Sequence, residues 1–276
     1  MKRILNDIKT AINEADYILI GAGSGLSTAA GIEYSGKRFK DNFKEYIEKY
    51  HFTDMYTSSF YNFKTEEEKW AYFAKHIYLN NTGMRGTETY KNILKLMQDK
   101  EYFVITTNVD DQFFKSGFDE GKIFATQGSY RYIQCSKACH NKLYDDTELV
   151  KEMIEKTVDL KIPSTLVPKC PVCGEKMEVN LRKDEYFVED DKWFEQYNKY
   201  KAFLNKIKDK KVVLLEFGVG FNTPGIIRLP FEKLVSDNNN YTLIRFNKEN
   251  TSCSLDIDKK VIKVKEDINK VLNELV

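Results

Sequence analysis

Apolar runs and amphipathic segments alternate along most of the chain. Residues 1–15 place Ile4, Leu5, Ile8 and Ile12 at helical spacing, which predicts an amphipathic helix. Short runs rich in branched and aromatic residues then predict buried strands, followed by a C-terminal amphipathic helix. The predicted strands span residues 17–20, 102–105, 122–125, 211–217, 241–246 and 261–264. Because strands alternate with helices, the pattern favours a parallel α/β sheet.

Residues 37–95 interrupt this alternation. The segment is rich in aromatic and charged residues at helical periods and contains no convincing strand. We predict a helical insertion in which the aromatic side chains pack into a core. The alternative is a surface for single-stranded nucleic acid, on which aromatic rings would stack with bases.

Glycine and polar residues follow five of the predicted strands. In parallel sheets the ligand lies beyond the carboxyl ends of the strands, where such groups can contact it. The segments concerned are residues 21–25, 107–110, 127–129, 218–222 and 247. Every strand must end in a turn, so some polar residues are expected there by chance. Five ends enriched in Gly, Asn and Ser nevertheless favour a nucleotide site.

The first of these ends is a glycine-rich turn. Gly21, Gly23 and Gly25 follow a predicted strand and precede a predicted helix, where the backbone could approach a pyrophosphate closely. A tight turn would also need glycine for local reasons. A hydride-transfer dehydrogenase would carry a second strand ending in an acidic residue about 20 positions later. No apolar strand surrounds Asp41, so the sequence disfavours that enzyme class.

Four of the five cysteines form two close pairs. The pairs are Cys135 with Cys139 and Cys170 with Cys173. Four thiolates at this spacing suit tetrahedral zinc in a closed, structural site. The alternative is four free buried thiols. The segment between the pairs predicts a helix over 145–160, and we expect His140 and Cys253 to take no part in metal binding.

Length and charge limit the remaining classes. A chain of 276 residues can form one large α/β domain with a satellite module, or two small domains. Its 43 basic and 42 acidic side chains nearly cancel, which predicts no nucleic-acid partner and no anionic membrane surface. No signal peptide or apolar run of about 20 residues is visible, so we expect a cytoplasmic protein without a membrane anchor.

Five segments, in order along the chain, resemble the signature segments of the sirtuin family. They are GAGSGLSTAAGIEYSG (21–36), TTNVDD (106–111), FATQGSY (124–130), FGVGFNTPG (217–225) and RFNKEN (245–250). The cysteine pairs lie where sirtuins keep their zinc ribbon. Each motif is modest alone, but the ordered set is specific.

The resemblance implies an α/β fold with a Rossmann-type parallel sheet, a smaller inserted zinc-ribbon module and a helical insertion. The NAD-binding domain would comprise residues 1–36, 96–130 and 205–276. Residues 37–95 would form the helical insertion, 131–185 the zinc module and 186–204 a helical connection.

The resemblance also implies the site residues. Asn108, Asp110 and Gln127 would be the catalytic positions, with the first two contacting the ribose and nicotinamide of NAD. The alternative for Asn108 and Asp110 is a turn that caps a helix over 111–115. The implied NAD-binding set is Gly21, Ala22, Gly23, Ser24, Leu26, Ser27, Thr107, Asn108, Asp110, Gln127, Gly218, Val219, Gly220, Asn222 and Asn247. The implied zinc ligands are Cys135, Cys139, Cys170 and Cys173.

The departures from the family pattern are informative. Residues 33–36 read Glu-Tyr-Ser-Gly where the family usually has Pro-Asp-Phe-Arg, Thr107 replaces a usual glutamine, and Gln127 occupies the position of the catalytic histidine. These departures resemble the microbial class whose genes lie beside a macrodomain gene. That resemblance implies a protein ADP-ribosyltransferase acting on a lipoylated carrier related to the glycine-cleavage H protein, with a macrodomain ADP-ribosyl hydrolase as a further partner.

Gln127 also bears on the chemistry. A general base needs a pKa near the working pH, and an amide does not titrate there. Deacylation steps should therefore be impaired, and transfer of ADP-ribose less so. Three hypotheses follow: a mono-ADP-ribosyltransferase, an NAD-dependent deacylase that tolerates glutamine, and a non-catalytic sensor of NAD or ADP-ribose.

Overall fold

The computed structural model describes residues 2–276 and contains a six-stranded parallel sheet. In chain order the strands are β1 (Tyr17–Ala22), β2 (Glu101–Thr106), β3 (Ile123–Ala125), β4 (Gly128–Cys135), β5 (Tyr144–Asp145), β6 (Met177–Leu181), β7 (Val212–Phe217), β8 (Tyr241–Phe246) and β9 (Val261–Val264). The large sheet has the order β3-β2-β1-β7-β8-β9, and all its neighbours are parallel. The predicted α/β class with a parallel sheet is confirmed.

Twelve helices accompany the strands in the described residues. They are α1 (Lys2–Glu14), α2 (Ser24–Ala29), α3 (Gly36–Asn42), α4 (Lys44–Tyr50), α5 (Met55–Ser58), α6 (Glu66–Ile77), α7 (Glu88–Leu96), α8 (Gln112–Lys115), α9 (Thr147–Lys156), α10 (Asp191–Lys206), α11 (Arg228–Asp237) and α12 (Ile268–Leu275). A π-helical turn (Tyr78–Thr82) follows α6. Side-chain caps fix several starts; Thr65, for example, accepts the backbone N–H of Glu68 at 3.2 Å.

Both faces of the sheet are covered by helices. Ile8 of α1 and Leu272 of α12 pack with strand residues such as Ile20 on one face. Phe203 of α10 and Phe231 of α11 pack on the other. All six residues of β7 are buried, which explains why its sequence is an apolar run and not an alternating pattern.

The segment 37–95 contains helices and no strand, as predicted. Its aromatic side chains form a core with the small sheet, and Tyr46, Trp70 and Tyr72 are fully buried. The last helix of the segment, α7, packs against the main domain, because Thr89 and Asn92 of that helix bond Asn269 and Asn273 of α12. The segment boundaries themselves stay a prediction.

Residues 128–181 carry a three-stranded antiparallel sheet in the order β5-β4-β6. The helix predicted over 145–160 is shorter, because α9 ends at Lys156. The chain then turns back, with Val158 and Lys161 exchanging two backbone hydrogen bonds of 2.9 Å. Asp159 and Leu160 take φ values of 50° and 60° in this turn, which is incompatible with a continuing helix.

No helix within residues 2–276 is both long and apolar enough to cross a membrane.

Candidate functional site

The candidate site lies where the strand order reverses. β1 and β7 are neighbours, but the chain proceeds from β1 toward β3 on one side and from β7 toward β9 on the other. Such a switch point opens a crevice at the carboxyl ends of the strands. Gly23 follows β1 and Gly218 follows β7, so both glycines lie at this crevice.

These glycines let two backbone segments touch. The N–H of Gly25 donates to the carbonyl of Gly218, and that of Gly23 to the carbonyl of Phe217, both at 3.0 Å. A Cβ on Gly23 would lie 2.9 Å from the Gly218 carbonyl oxygen, and one on Gly25 would lie 2.8 Å from the Gly218 Cα. Gly218 has φ of 59°, in the left-handed region that favours glycine. Local packing alone therefore requires the glycines, and the Gly25 amide is already bonded within the protein.

The other residues of the turn differ in exposure. A Cβ on Gly21 would lie 2.5 Å from the side chain of Ile227 and 2.6 Å from that of Phe231 of α11, so this glycine serves packing. Leu26 is fully buried, whereas Ser24 is exposed at the start of α2. The carbonyl of Ala22 accepts the N–H of Thr107 at 3.0 Å and so ties the ends of β1 and β2 together. The roles predicted for these residues in NAD binding stay a prediction.

A hydrogen-bonded cluster joins α2, α7 and the end of β2. The side-chain amide nitrogen of Asn108 donates to the Gly23 carbonyl at 2.9 Å and to the hydroxyls of Ser27 and Tyr90, both at 3.1 Å. The Ser27 hydroxyl donates to the Asp110 carboxylate at 2.5 Å and lies 2.9 Å from the Tyr90 hydroxyl. The structure thus brings together predicted site residues from two separate motifs.

Asp110 is a buried carboxyl in this cluster, with 4% of its surface exposed. Burial raises the pKa of Asp110 from its ordinary value of 3.8 to about 6, although hydrogen bonds from Ser27 and from the backbone of Gln112 lower it. The carboxylate also accepts the backbone N–H of Gln112, the first residue of α8, at 3.1 Å, as the helix-capping alternative expects. The role of Asp110 toward NAD stays a prediction. Lys115 also lowers this pKa through its charge but forms no direct ion pair with Asp110. A carboxylate without a direct ion pair can stabilise a positive charge that develops nearby.

The raised pKa of Asp110 predicts a stability effect. The folded protein holds this proton more tightly than the unfolded chain, so the free energy of unfolding falls as pH rises from about 4 through 6. Asp110→Asn removes this dependence. We expect the free energy of unfolding of the variant minus that of wild type, measured in urea, to be about 1.4 kcal/mol more positive at pH 7.5 than at pH 5. Asp7→Asn, at an exposed position of α1, is the control. A difference for Asp110→Asn that does not change with pH would contradict the assignment.

Gln127 lies in the turn between β3 and β4 and is half-buried. Its backbone carbonyl accepts the N–H of Arg182 at 3.0 Å, which fixes the turn. Thr126 donates its N–H to the carbonyl of Thr106 at 3.0 Å, so Gln127 and Asn108 follow neighbouring strands. Within residues 2–276 the side-chain amide of Gln127 makes no hydrogen bond. The amide is therefore available to a bound ligand.

The ends of β7 and β8 complete the edge. The Asn247 side chain donates to the carbonyl of Val219 at 3.0 Å, and its oxygen accepts two following backbone N–H groups at 3.0 Å. Asn247 thus fixes the loop after β7, while Gly220 and Asn222 are exposed in that loop. The assignment of these four residues to NAD binding stays a prediction.

A buried ion cluster beneath these loops was not predicted. Arg245 binds both carboxylate oxygens of Glu216, at 2.7 and 2.8 Å, and both side chains are fully buried. Arg228 approaches the same carboxylate at 3.8 Å and donates to the carbonyl of Ser252 at 2.7 Å. The cluster therefore anchors the loop after β8. The available signal was one charged residue in each of two otherwise apolar strands.

The four paired cysteines meet in space. The sulfurs of Cys135 and Cys173 lie 3.6 Å apart, as do those of Cys139 and Cys170, and all four lie within 4.8 Å of one another. Tetrahedral zinc with four thiolates places its sulfurs roughly 3.8 Å apart, so the cluster fits a metal. The His140 ring nitrogen lies 3.5 Å from the Cys170 sulfur and is not part of the cluster.

Sequence reasoning missed Tyr90. This side chain is fully buried on α7, and burial together with the charge of Asp110 raises its pKa. Its hydroxyl contacts Ser27 and Asn108, which lie in two of the recognised motifs. A tyrosine on an amphipathic helix carries no local signal of such a role, because the contact depends on how α7 packs.

Comparison with known proteins gives related sequences. A model of the Sir2 family matches residues 23–215. A protein ADP-ribosyltransferase of Staphylococcus aureus (strain Mu50) is 37% identical over 266 residues, which cover 96% of this chain and 84% of that protein. A probable bifunctional ADP-ribose hydrolase/ADP-ribosyltransferase of Fusarium oxysporum f. sp. cubense is 32% identical over 234 residues. The match covers 81% of this chain and 39% of that protein's length.

Solved structures share the fold. A Sir2 homologue in complex with NAD is 17% identical with a TM-score of 0.61, over 98% of this chain and 91% of that chain. A mutant Sir2 homologue in complex with ADP-ribose is 15% identical with a TM-score of 0.61, over 98% and 94%. With the sequence match over most of the chain, these findings confirm the resemblance seen in the motifs: the chain belongs to the Sir2 family, a family of NAD-dependent enzymes.

Proposed function

We propose that the protein is an NAD-dependent mono-ADP-ribosyltransferase that moves ADP-ribose from NAD to a protein acceptor and releases nicotinamide. The observation that carries the proposal is Gln127. A non-titrating amide stands where the family resemblance places the histidine base, at the end of β3, the strand that neighbours the one Asn108 and Asp110 follow. The name of the Staphylococcus aureus relative supports the same activity.

The buried cluster and the neighbouring Gln127 suggest a separate role for each residue in the transfer reaction. NAD supplies the ADP-ribose and a leaving group, because nicotinamide departs with the electrons of its bond to ribose. Asp110 places a negative charge near the cation that develops at the ribose. The two N–H groups of the Asn108 amide are shared among three protein acceptors, so its side-chain oxygen is left to accept a hydrogen bond from the substrate. Gln127 orients a ribose or acceptor group without taking its proton.

We propose a structural zinc ion at the cysteine cluster. Four thiolates leave no open coordination position, so the metal would hold the small sheet together and take no part in transfer. The cluster lies at one end of β4, whose other end begins immediately after Gln127. Zinc would thereby support the turn that carries Gln127.

The acceptor and the partners are finer proposals. We infer a lipoylated carrier protein related to the glycine-cleavage H protein as acceptor, and a macrodomain hydrolase as the enzyme that reverses the transfer. Supporting the second, the Fusarium relative is named for both ADP-ribose hydrolase and ADP-ribosyltransferase activities. We also propose a cytoplasmic location. Nucleic acid and membrane are not expected as partners.

Labelled NAD tests the function and the role of Gln127 together. Incubated with a lipoylated carrier, wild type should place label on protein and remove little or no acetyl group from acetyl-lysine peptides. Gln127→Ala should slow transfer about twofold to tenfold, the value of one orienting hydrogen bond. Gln98→Ala, an exposed amide after α7, is the matched control. Gln127→His should not produce full deacylase activity, because residues 33–36 also differ from the family pattern.

The outcomes separate the competing hypotheses. Loss of an acetyl group at the rate of a histidine-bearing sirtuin, with Gln127 intact, would replace this proposal with a deacylase. NAD binding with neither reaction would identify a sensor. Label on the carrier protein, placed more slowly by Gln127→Ala than by wild type, supports the transferase.

A further inference from the structure

A chain of hydrogen-bonded side chains lies beside the site. The Tyr34 hydroxyl is 2.9 Å from the Tyr130 hydroxyl, which is 2.8 Å from the Nε2 of His76. The Nδ1 of His76 is 3.2 Å from the Tyr72 hydroxyl, and that hydroxyl donates to the carbonyl of Met55 at 2.9 Å. Four side chains thus connect in a line that ends at a backbone carbonyl.

The carbonyl at the end fixes the direction of every bond. Tyr72 has one proton, which it donates to Met55, so its oxygen must accept from the Nδ1–H of His76. A neutral imidazole then leaves Nε2 bare, and Tyr130 donates to it. With its proton committed, Tyr130 accepts from Tyr34. The proton of Tyr34 therefore points into the protein, and its oxygen can only accept from the other side.

His76 remains neutral in this environment. It is fully buried on α6, and burial lowers its pKa to about 3, with a further contribution from the charge of Arg38. The other titratable groups that face it are the hydroxyls of Tyr72 and Tyr130, to which it is bonded, and the ring of Tyr34. None of the three carries a negative charge at neutral pH, because burial raises the pKa of each.

The free end of the chain lies at the site. The N–H of Tyr130 donates to the carbonyl of Val109 at 2.9 Å, so Tyr130 adjoins the Asn108–Asp110 turn. Tyr34 is bonded to Tyr130 and so lies near the same turn. Burial, and to a smaller extent the charge of Asp110, raise the pKa of Tyr34. Tyr34 keeps partial exposure, whereas Tyr130 and His76 are 4% and 0% exposed. Tyr34 is therefore the only member of the Tyr34–Tyr130–His76 series that a substrate can reach.

We propose that Tyr34 is the hydrogen-bond acceptor that orients the proton-bearing nucleophile of the protein acceptor, an O–H, N–H or S–H group. The inference rests on the proposed function. The nucleophile's heteroatom bonds to the ribose carbon as the carbon–nitrogen bond to nicotinamide breaks, and nicotinamide takes the electron pair. The heteroatom's proton, held toward Tyr34 until then, passes to water. Tyr130 and His76 are positioning residues, because they act only by fixing the direction of the Tyr34 hydroxyl.

Kinetics of single and double variants test the role of Tyr34. Tyr34→Phe should slow transfer to the carrier about tenfold while NAD binding changes less than twofold, since only the acceptor's hydrogen bond is lost. Tyr130→Phe frees the Tyr34 hydroxyl to rotate and should also slow transfer. The double variant should be no slower than Tyr34→Phe alone, because Tyr130 acts through Tyr34. Additive losses, or undiminished transfer by Tyr34→Phe, would overturn the inference.

The directions of these hydrogen bonds can be measured without an activity assay. The polypeptide has three histidines, so ¹⁵N signals of the ring are assignable with His51→Gln, at an exposed position, and His140→Gln, at a half-buried one. His76 should show a protonated Nδ1 and a bare Nε2, unchanged from pH 8 to pH 5. The opposite tautomer, or a charged ring, would mean that the hydrogen bonds run in other directions and would contradict the inference. Absence of transfer by wild type would contradict both the proposed function and the inference, whereas undiminished transfer by Tyr34→Phe would contradict the inference alone.

Discussion

Asn108→Ala is expected to lower the rate of ADP-ribose transfer by about a hundredfold or more, because preorganised polar groups at a reacting centre contribute that much. Three protein acceptors hold the side-chain nitrogen of Asn108, so its oxygen is fixed in direction before any substrate arrives. Alanine removes both the oxygen and the tie between α2 and the end of β2. The measurement is label transferred from NAD to the carrier protein.

The fold should survive this substitution. Asn108 is half-buried, so water can reach part of the site it leaves. The loss should cost about 1–3 kcal/mol, against a total stability of about 5–15 kcal/mol for a domain. Asn239→Ala, an exposed amide before β8, is the matched control and should transfer at the wild-type rate. Near-normal labelling by Asn108→Ala in folded protein would show that the site has been assigned to the wrong residues.

The large sheet was predictable because its strands, β9 excepted, are mostly buried on both faces. Such strands are nearly continuous apolar runs, so all six were found, with β8 and β9 at their observed bounds. The first strand was predicted to stop at Ile20 but continues through Gly21 and Ala22. Glycine is unfavourable in strands in general, and only the packing of α11 on Gly21 explains its presence there.

The small sheet was not predictable in the same way. Its strands are short, and the register between β4 and β6 shifts after Gly128, so no regular alternation marks them. The four cysteines were the only strong signal in that part of the chain. The helix between the pairs was placed correctly but predicted too long, because the Asp159–Leu160 turn has no glycine or proline to announce it.

The site divides along similar lines. Residues at strand ends carry local signals, and the structure brings Asn108, Asp110 and Ser27 together as the motifs imply. Tyr90 and His76 come from helices, and their contacts span 18 and 54 residues of sequence. Nothing local distinguishes them from ordinary core residues, so only the packing of α6 and α7 reveals them.

Loss of the metal should have the largest effect on stability. The wild-type protein should contain about one zinc per chain, and Cys170→Ser should lose it and unfold several kcal/mol more easily, because metal binding is coupled to folding. Cys170 is buried and precedes the turn into β6, while Cys135 ends β4, so the cluster joins two strands of the small sheet. Elemental analysis and urea unfolding measure the two effects.

Two control variants distinguish loss of the metal from general damage. Cys253→Ser, a cysteine outside the cluster, should keep its zinc and change the free energy of unfolding by less than about 0.5 kcal/mol. His140→Ala should also keep zinc, since this ring contacts the Cys170 sulfur without belonging to the ligand set. Zinc retained by Cys170→Ser but lost by a Cys170→Ser/His140→Ala double variant would make His140 a substitute ligand.

Soluble wild-type protein that binds NAD and contains no zinc would contradict the metal assignment itself. The small sheet would then be attached to the helical segment by the shared core around Tyr130 and Met177 and by ion pairs such as Lys69–Glu178.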